Sequence, residues 1–184
     1  MKELFAILMG GVLLNNYALQ SFLGVTNFLG NAKETKKSAV MGAAVTVVTL
    51  ISGVLCWLLE EFVLGTMNAD FLQPLLFTAV ILAVATAIGA AAKALFKKPL
   101  GIFFPLLALN SAVLGVALNN ASAGYTFLQA LVSSLAAGIG FTLAMVLFCG
   151  IRSKINDKYV PAAFRGLPIY LMAASILALT LFAF

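Results

Sequence analysis

The sequence predicts an all-α integral membrane protein with six transmembrane helices. Three observations lead to this prediction: an apolar composition, six separate apolar segments, and positive charges confined to alternate breaks between them. Of the 184 residues, 63% are hydrophobic and 9% are charged, whereas a typical soluble domain has about 45–50% apolar and about 25% charged residues. A spanning helix needs about 20 apolar residues, so the chain has room for about six spans and no separate soluble domain.

The six predicted segments end at charged or turn-rich breaks. They are numbered one to six and cover residues 4–30, 39–64, 72–93, 100–122, 126–151 and 167–184. Segment one has no convincing small-residue cleavage site, so it is predicted to be a retained span rather than a signal peptide. Residues 1–184 are therefore expected to form a single membrane domain.

Basic residues predict the orientation of the chain. The breaks after segments one, three and five hold ten of the eleven Lys and Arg residues, and only Lys2 falls on the other side. The protein is predicted to lie in the cell (inner) membrane. Because cytoplasmic loops are rich in Lys and Arg, these breaks are predicted to lie on its cytoplasmic side. The N- and C-termini, and the loop after Glu60 and Glu61, are then non-cytoplasmic. The basic residues lie between apolar segments and form no basic stripe with interleaved aromatics, so we expect no nucleic acid partner.

The even division of the spans predicts two inverted three-helix repeats. Residues 1–98 and 99–184 hold three spans each, so the two halves enter the bilayer from opposite sides. Identity between the halves is weak, with Phe22–Val25 resembling Val113–Val116. The inverted repeat is therefore predicted from topology rather than from sequence identity.

Segments one and four are unusual because they carry carboxamides at mid-depth. These are Asn15, Asn16 and Gln20 in segment one and Asn110 in segment four, followed by Gly24 and Gly115 respectively. An amide in hydrocarbon needs a hydrogen-bond partner, and glycine loosens a helix. We therefore predict broken or half-helices that meet near the middle of the bilayer around a polar cavity. Ordinary hydrogen bonds between packed spans are the alternative.

The sequence offers little for metal binding or catalysis. It contains no histidine, and its two cysteines, Cys56 and Cys149, lie inside apolar segments without a CxxC partner. Both are predicted to be small buried hydrophobes, and no metal site is predicted. No nucleophile–base pair or phosphate-binding loop can be assembled, so we expect no catalytic activity from the isolated chain.

Short motifs along nearly the whole chain give a family resemblance. They are Leu14–Asn16, Phe22–Gly30, Met41–Gly42, Leu100–Leu106, Asn110–Gly115 and Val160–Gly166. In this order they resemble the A subunits of Rnf-type ion-translocating oxidoreductase complexes and, more distantly, the E subunits of the sodium-pumping Nqr NADH:quinone oxidoreductases. The resemblance implies a translocase that couples electron transport between ferredoxin and NAD to sodium or proton transport.

The resemblance also implies a [2Fe-2S] centre shared with a homologous partner of opposite topology. Two cysteines of the family supply thiolate ligands, at positions that Thr26 and Ser111 occupy here. A hydroxyl is a poor substitute for a thiolate, so this divergent chain is expected to bind no cluster itself. The family tends to carry a carboxylate near the end of its third span, where this chain has Gly89–Ala92. Expected partners are membrane lipid, the homologous Rnf/Nqr-type subunit of opposite topology, and the other subunits of the complex.

Two other functions stay open at this stage. One is a small homodimeric transporter or channel with its site between segments one and four. The other is a structural or assembly subunit without a site of its own.

Overall fold

The computed structural model describes residues 2–14, 16–24, 35–65, 70–96 and 110–182, and most of them are helical. The α-helices in these ranges are α1 (Lys2–Met9), α2 (Thr35–Leu59), α3 (Gln73–Phe96), α4 (Ser111–Ser122), α5 (Phe127–Lys154) and α6 (Leu167–Phe182). A π-helical turn extends α1 over Gly10–Leu14, and another extends α2 over Glu60–Leu64. Short 3-10 turns cover Asp70–Leu72, Asp157–Tyr159 and Ala162–Phe164.

Three helices in the described ranges are long and apolar enough to cross a membrane. They are Thr35–Leu64, Gln73–Ala91 and Phe127–Lys154, and Leu167–Thr180 is a shorter apolar helix. These helices agree with predicted segments two, three, five and six to within a few residues. The helical, apolar character expected of an integral membrane protein is thus present, while the count of six spans and the inverted repeat stay predictions.

Helices α2 and α5 form an antiparallel pair at the centre of the fold. Gly42 contacts Thr142 and Gly138 contacts Thr46, so residue numbers rise along one helix as they fall along the other. A Cβ atom added at Gly42 would lie 2.7 Å from Thr142, and one added at Gly138 would lie 2.7 Å from Thr46. Glycine at these two positions therefore allows the helix backbones to approach closely.

The contact between α2 and α5 has a local two-fold symmetry. The Thr46 hydroxyl donates to the Gly42 carbonyl at 2.9 Å, and the Thr142 hydroxyl donates to the Gly138 carbonyl at 2.9 Å. The two hydroxyl oxygens lie 3.2 Å apart. Each helix thus contributes the same Gly-x-x-x-Thr turn. Helices α2 and α5 are the middle spans of the two predicted halves, and the inverted repeat itself stays a prediction.

Polar and aromatic contacts fix the two ends of α5. At its start, the backbone N–H of Thr126 donates to the side chain of Gln129 at 2.9 Å, as part of a capping box. Such a cap satisfies backbone groups that the first turn of a helix leaves free. At its end, the Arg152 guanidinium lies 4.2 Å from the centre of the Tyr170 ring on α6. This cation–π contact joins the last turn of α5 to the following helix.

Segment one is broken, as the sequence predicts. Helix α1 and its π-helical turn end at Leu14, and the chain then passes through turns between Asn16 and Gly24. Phe22 has a φ angle of 51° and Gly24 one of 74°, which is a left-handed conformation that bulky side chains rarely adopt. In segment four, α4 begins only at Ser111, and residues 97–109 lie outside the described part of the chain.

Candidate functional site

Four of the six residues predicted for the polar site fall within the described part of the chain. Asn16 is 1% exposed and Asn110 is 2% exposed, so both asparagines are fully buried. Gln20 and Ser111 have exposed side chains. Asn15 and Thr26 lie outside the described residues, and their roles stay predictions.

Asn16 ties the end of the first helix to α5. Its Nδ2 donates to the carbonyl of Gly140 at 2.8 Å and to that of Val12 at 3.2 Å, while its Oδ1 accepts from the N–H of Ala18 at 3.0 Å. A Cβ atom added at Gly140 would lie 2.6 Å from the carbonyl oxygen of Gly11. Glycine in α5 thus lets the π-helical turn come close enough for the Asn16 amide to reach across.

Asn110 caps the start of α4 with the same local geometry. Its Oδ1 accepts from the N–H of Ala112 at 3.0 Å, and its carbonyl accepts from the N–H of Val113 at 3.1 Å. At Asn16, the N–H groups two and three residues further on make the corresponding bonds. The Nδ2 of Asn110 is buried and has no hydrogen-bond partner among the described residues.

The broken part of segment one meets the start of α4. The N–H of Gly24 donates to the Ser111 hydroxyl at 2.9 Å, and a Cβ atom added at Gly24 would lie 2.8 Å from Asn110 Oδ1. A Cβ atom added at Gly115 would lie 2.5 Å from Leu23. We call this contact between residues 16–24 and 110–115 the junction. Segments one and four therefore contact each other here, while a polar cavity at the middle of the bilayer stays a prediction.

The chemistry available at the junction is that of amides and a hydroxyl. The Ser111 hydroxyl already accepts a hydrogen bond from the backbone of Gly24. The two cysteines lie elsewhere: the Cys149 sulfur is 3.9 Å from the Thr35 hydroxyl, and Cys56 lies in the wall of a separate cavity. Within the described ranges, no group of three or more His, Cys, Asp or Glu residues is arranged to hold a metal ion.

A second polar cluster is not predicted by the sequence. It surrounds a cavity of about 110 Å³, which we call the Glu60 cavity. Its walls include Cys56, Trp57, Glu60, Asn120 and Tyr125, from α2, its π-helical extension, α4 and the loop after α4. The sequence predicts only that the loop after Glu60 and Glu61 is non-cytoplasmic. An asparagine inside apolar segment four is the signal that could have pointed to Asn120.

The fold and the junction define a helical membrane protein in which the interrupted segment one meets the start of α4 inside the bundle. A family model described as "Rnf-Nqr subunit, membrane protein" matches residues 4–184. The chain therefore belongs to the Rnf-Nqr family of membrane subunits, which confirms the resemblance drawn from its motifs.

Relatives in this family are similar along the whole chain. The sequence is 42% identical to the A subunit of the ion-translocating oxidoreductase complex from Syntrophotalea carbinolica. It is 39% identical to the A subunits of the complexes with the same name in Serratia proteamaculans and in an Azoarcus species. In each comparison the match covers 100% of this chain and 97% of the relative.

Proposed function

We propose that this chain is the A-type membrane subunit of an Rnf-type ion-translocating oxidoreductase complex. In such a complex, electron transfer between ferredoxin and NAD is coupled to sodium or proton movement across the membrane. The observation that supports this proposal best is that the alignments with A subunits of such complexes cover the whole of this chain. The expected partners are a homologous subunit of opposite topology and the remaining subunits of the complex.

Purification from the native membrane tests the proposed assembly. A tagged chain extracted in a mild detergent is expected to bring Rnf-like subunits with it in fixed ratios, identified by mass spectrometry. An unrelated multi-pass protein with the same tag, expressed at the same level, is the control. A chain that purifies alone under conditions that preserve other membrane complexes contradicts the proposal. Solute flux in liposomes that contain only this chain would support the transporter alternative instead.

We further propose that this chain does not ligate an iron–sulfur centre. Thiolates are the characteristic protein ligands of these clusters. At the junction the relevant described side chain is Ser111, a hydroxyl that is already hydrogen-bonded to Gly24. Cys56 and Cys149 do not fit the role either, because both are buried at other places in the bundle. The role of this chain is then to shape the junction and to hold the complex together.

Iron analysis of the purified complex tests this second point. Replacing Ser111 and Thr26 together by cysteine is expected to raise the iron content of the complex and to add a cluster signal in electron paramagnetic resonance. The single Ser111→Cys variant is the matched control and is expected to leave both readouts unchanged, since one thiolate is too few. A stoichiometric cluster that stays with the unmodified chain after its partners are removed contradicts the proposal.

A further inference from the structure

The Glu60 cavity lies at the end of the bundle where α2 finishes and α4 finishes. Trp57 forms part of its wall and donates its indole N–H to the carbonyl of Tyr125 at 2.8 Å. The Trp57 ring also packs edge-on against Phe127, with ring centres 5.3 Å apart. These contacts connect α2 to the α4–α5 loop, so the cavity has walls that its neighbours hold in place.

Two residues of these walls have a buried oxygen atom without a hydrogen-bond partner among the described residues: Glu60 at Oε2 and Asn120 at Oδ1. The other terminal atom of each side chain is hydrogen-bonded, and this fixes the orientation of the carboxylate and of the amide. Gln73 Nε2 donates to the other carboxylate oxygen of Glu60 at 2.6 Å. Asn120 Nδ2 donates to the Ser134 hydroxyl at 3.2 Å and to the carbonyl of Ala130 at 3.4 Å. Because a carbonyl can only accept, the NH₂ group of Asn120 must face Ala130.

The charge of the cavity favours a cation. Asn120 is 4% exposed, and a buried polar atom left without a partner costs about 1–3 kcal/mol, or more when it is charged. A positive ion satisfies a carboxylate oxygen and an amide oxygen at once, whereas an apolar occupant satisfies neither. The last turn of α4 also contributes Asn120 and Ala121 to the wall. The carbonyl end of a helix carries a partial negative charge, which favours a cation further.

The oxygen atoms favour a small, hard, monovalent ion. Carboxylate, carbonyl and water oxygens suit hard cations rather than soft ones. Calcium takes 6–8 oxygen ligands, commonly from several carboxylates, while this cavity offers one half-buried carboxylate, Glu60, beside the exposed Glu61. Since a water molecule takes about 30 Å³ in the liquid, a cavity of about 110 Å³ holds one ion with two or three waters.

We propose that the Glu60 cavity binds a monovalent metal cation of the sodium class between Glu60 Oε2 and Asn120 Oδ1. This site is separate from the junction and goes beyond the proposed function, because cation binding here does not depend on assembly with other subunits. If the chain purifies alone, the proposed assembly is contradicted, but the sodium titration described next still tests the cation site.

Sodium titration of the full-length chain in detergent tests the proposal. Trp57 is the single tryptophan of the chain and lines the cavity, so its fluorescence reports on occupancy. Sodium chloride replaces choline chloride at constant ionic strength, and a saturable change in emission is expected. Glu60→Gln removes the charge and keeps the shape, and it should weaken sodium binding at least about tenfold, as losses of supporting ligand contacts do. Glu3→Gln removes an exposed carboxylate outside the cavity and should leave the affinity unchanged.

A second variant keeps the test decisive if Glu60→Gln does not fold. Asn120→Ala removes the amide oxygen but keeps the carboxylate, and it should also weaken sodium binding while the helix content of the whole chain, measured by circular dichroism, stays unchanged. The proposal is overturned if the unmodified chain responds equally to sodium and to choline. It is also overturned if a folded variant at either position binds sodium as tightly as the unmodified chain.

Discussion

Replacing Asn16 by alanine should destabilise the protein by an amount that its contacts define. The substitution removes two bonds donated to the carbonyls of Gly140 and Val12 and one accepted from the N–H of Ala18. Hydrogen bonds between side chains and neighbouring helices in membranes average about 0.6 kcal/mol. Only the Gly140 bond joins two helices; counting the local bonds with Val12 and Ala18 at the same value gives a loss of about 2 kcal/mol in the free energy of unfolding. The break in segment one should be the first region to open.

The free energy of unfolding can be measured by titrating SDS into mixed micelles and following helical circular dichroism. Asn156→Ala is the matched control, because the Asn156 side chain also accepts from an N–H two residues on, that of Lys158 at 3.1 Å, but does so in an exposed loop. The control should lose less than about 0.5 kcal/mol, as surface substitutions do. If Asn16→Ala and Asn156→Ala lose the same amount, then the buried amide does not hold the first helix to α5.

Two further predictions concern packing and orientation. Gly138→Ala should lower the melting temperature, since the new methyl group meets the Thr46 backbone at 2.7 Å and overpacking typically costs about 1–3 kcal/mol. Gly150→Ala in the same helix meets nothing within 4 Å and should be neutral or stabilising, so an equal loss in both variants would refute the close approach. In a background without native cysteines, a membrane-impermeant maleimide should label Lys2→Cys in intact cells and Lys158→Cys only after permeabilisation. The reverse pattern would overturn the predicted orientation.

The long apolar helices can be predicted because their signal is additive. Every residue between 126 and 151 contributes to the hydropathy of α5, so a few exceptions do not hide the segment. The break in segment one is also predictable, since an asparagine in hydrocarbon needs a partner wherever the chain goes. The partner itself is not predictable, because Asn16 bonds to the backbone carbonyl of Gly140 and every residue has such a carbonyl.

The Glu60 cavity shows where sequence reasoning stops. The sequence places Glu60 near the end of segment two, but it does not show that Gln73 donates to one carboxylate oxygen while the other has no partner among the described residues. Asn120 is not singled out from the sequence, because it lies near the end of segment four rather than at mid-depth. Only the directions of its bonds to Ala130 and Ser134 show that its oxygen is left over.

The bond between Asn16 and Gly140 spans 124 residues of sequence, and this distance has a consequence for how the protein is made. At about 5–20 residues per second of synthesis, the carbonyl that Asn16 needs emerges roughly 6–25 seconds after the amide does. During that interval Asn16 cannot form this bond, and its buried amide lacks the carbonyl that it binds in the folded protein. The packing of the break in segment one against α5 must therefore follow synthesis of the fifth helix, so the first segment reaches its final contacts only after most of the chain has been made.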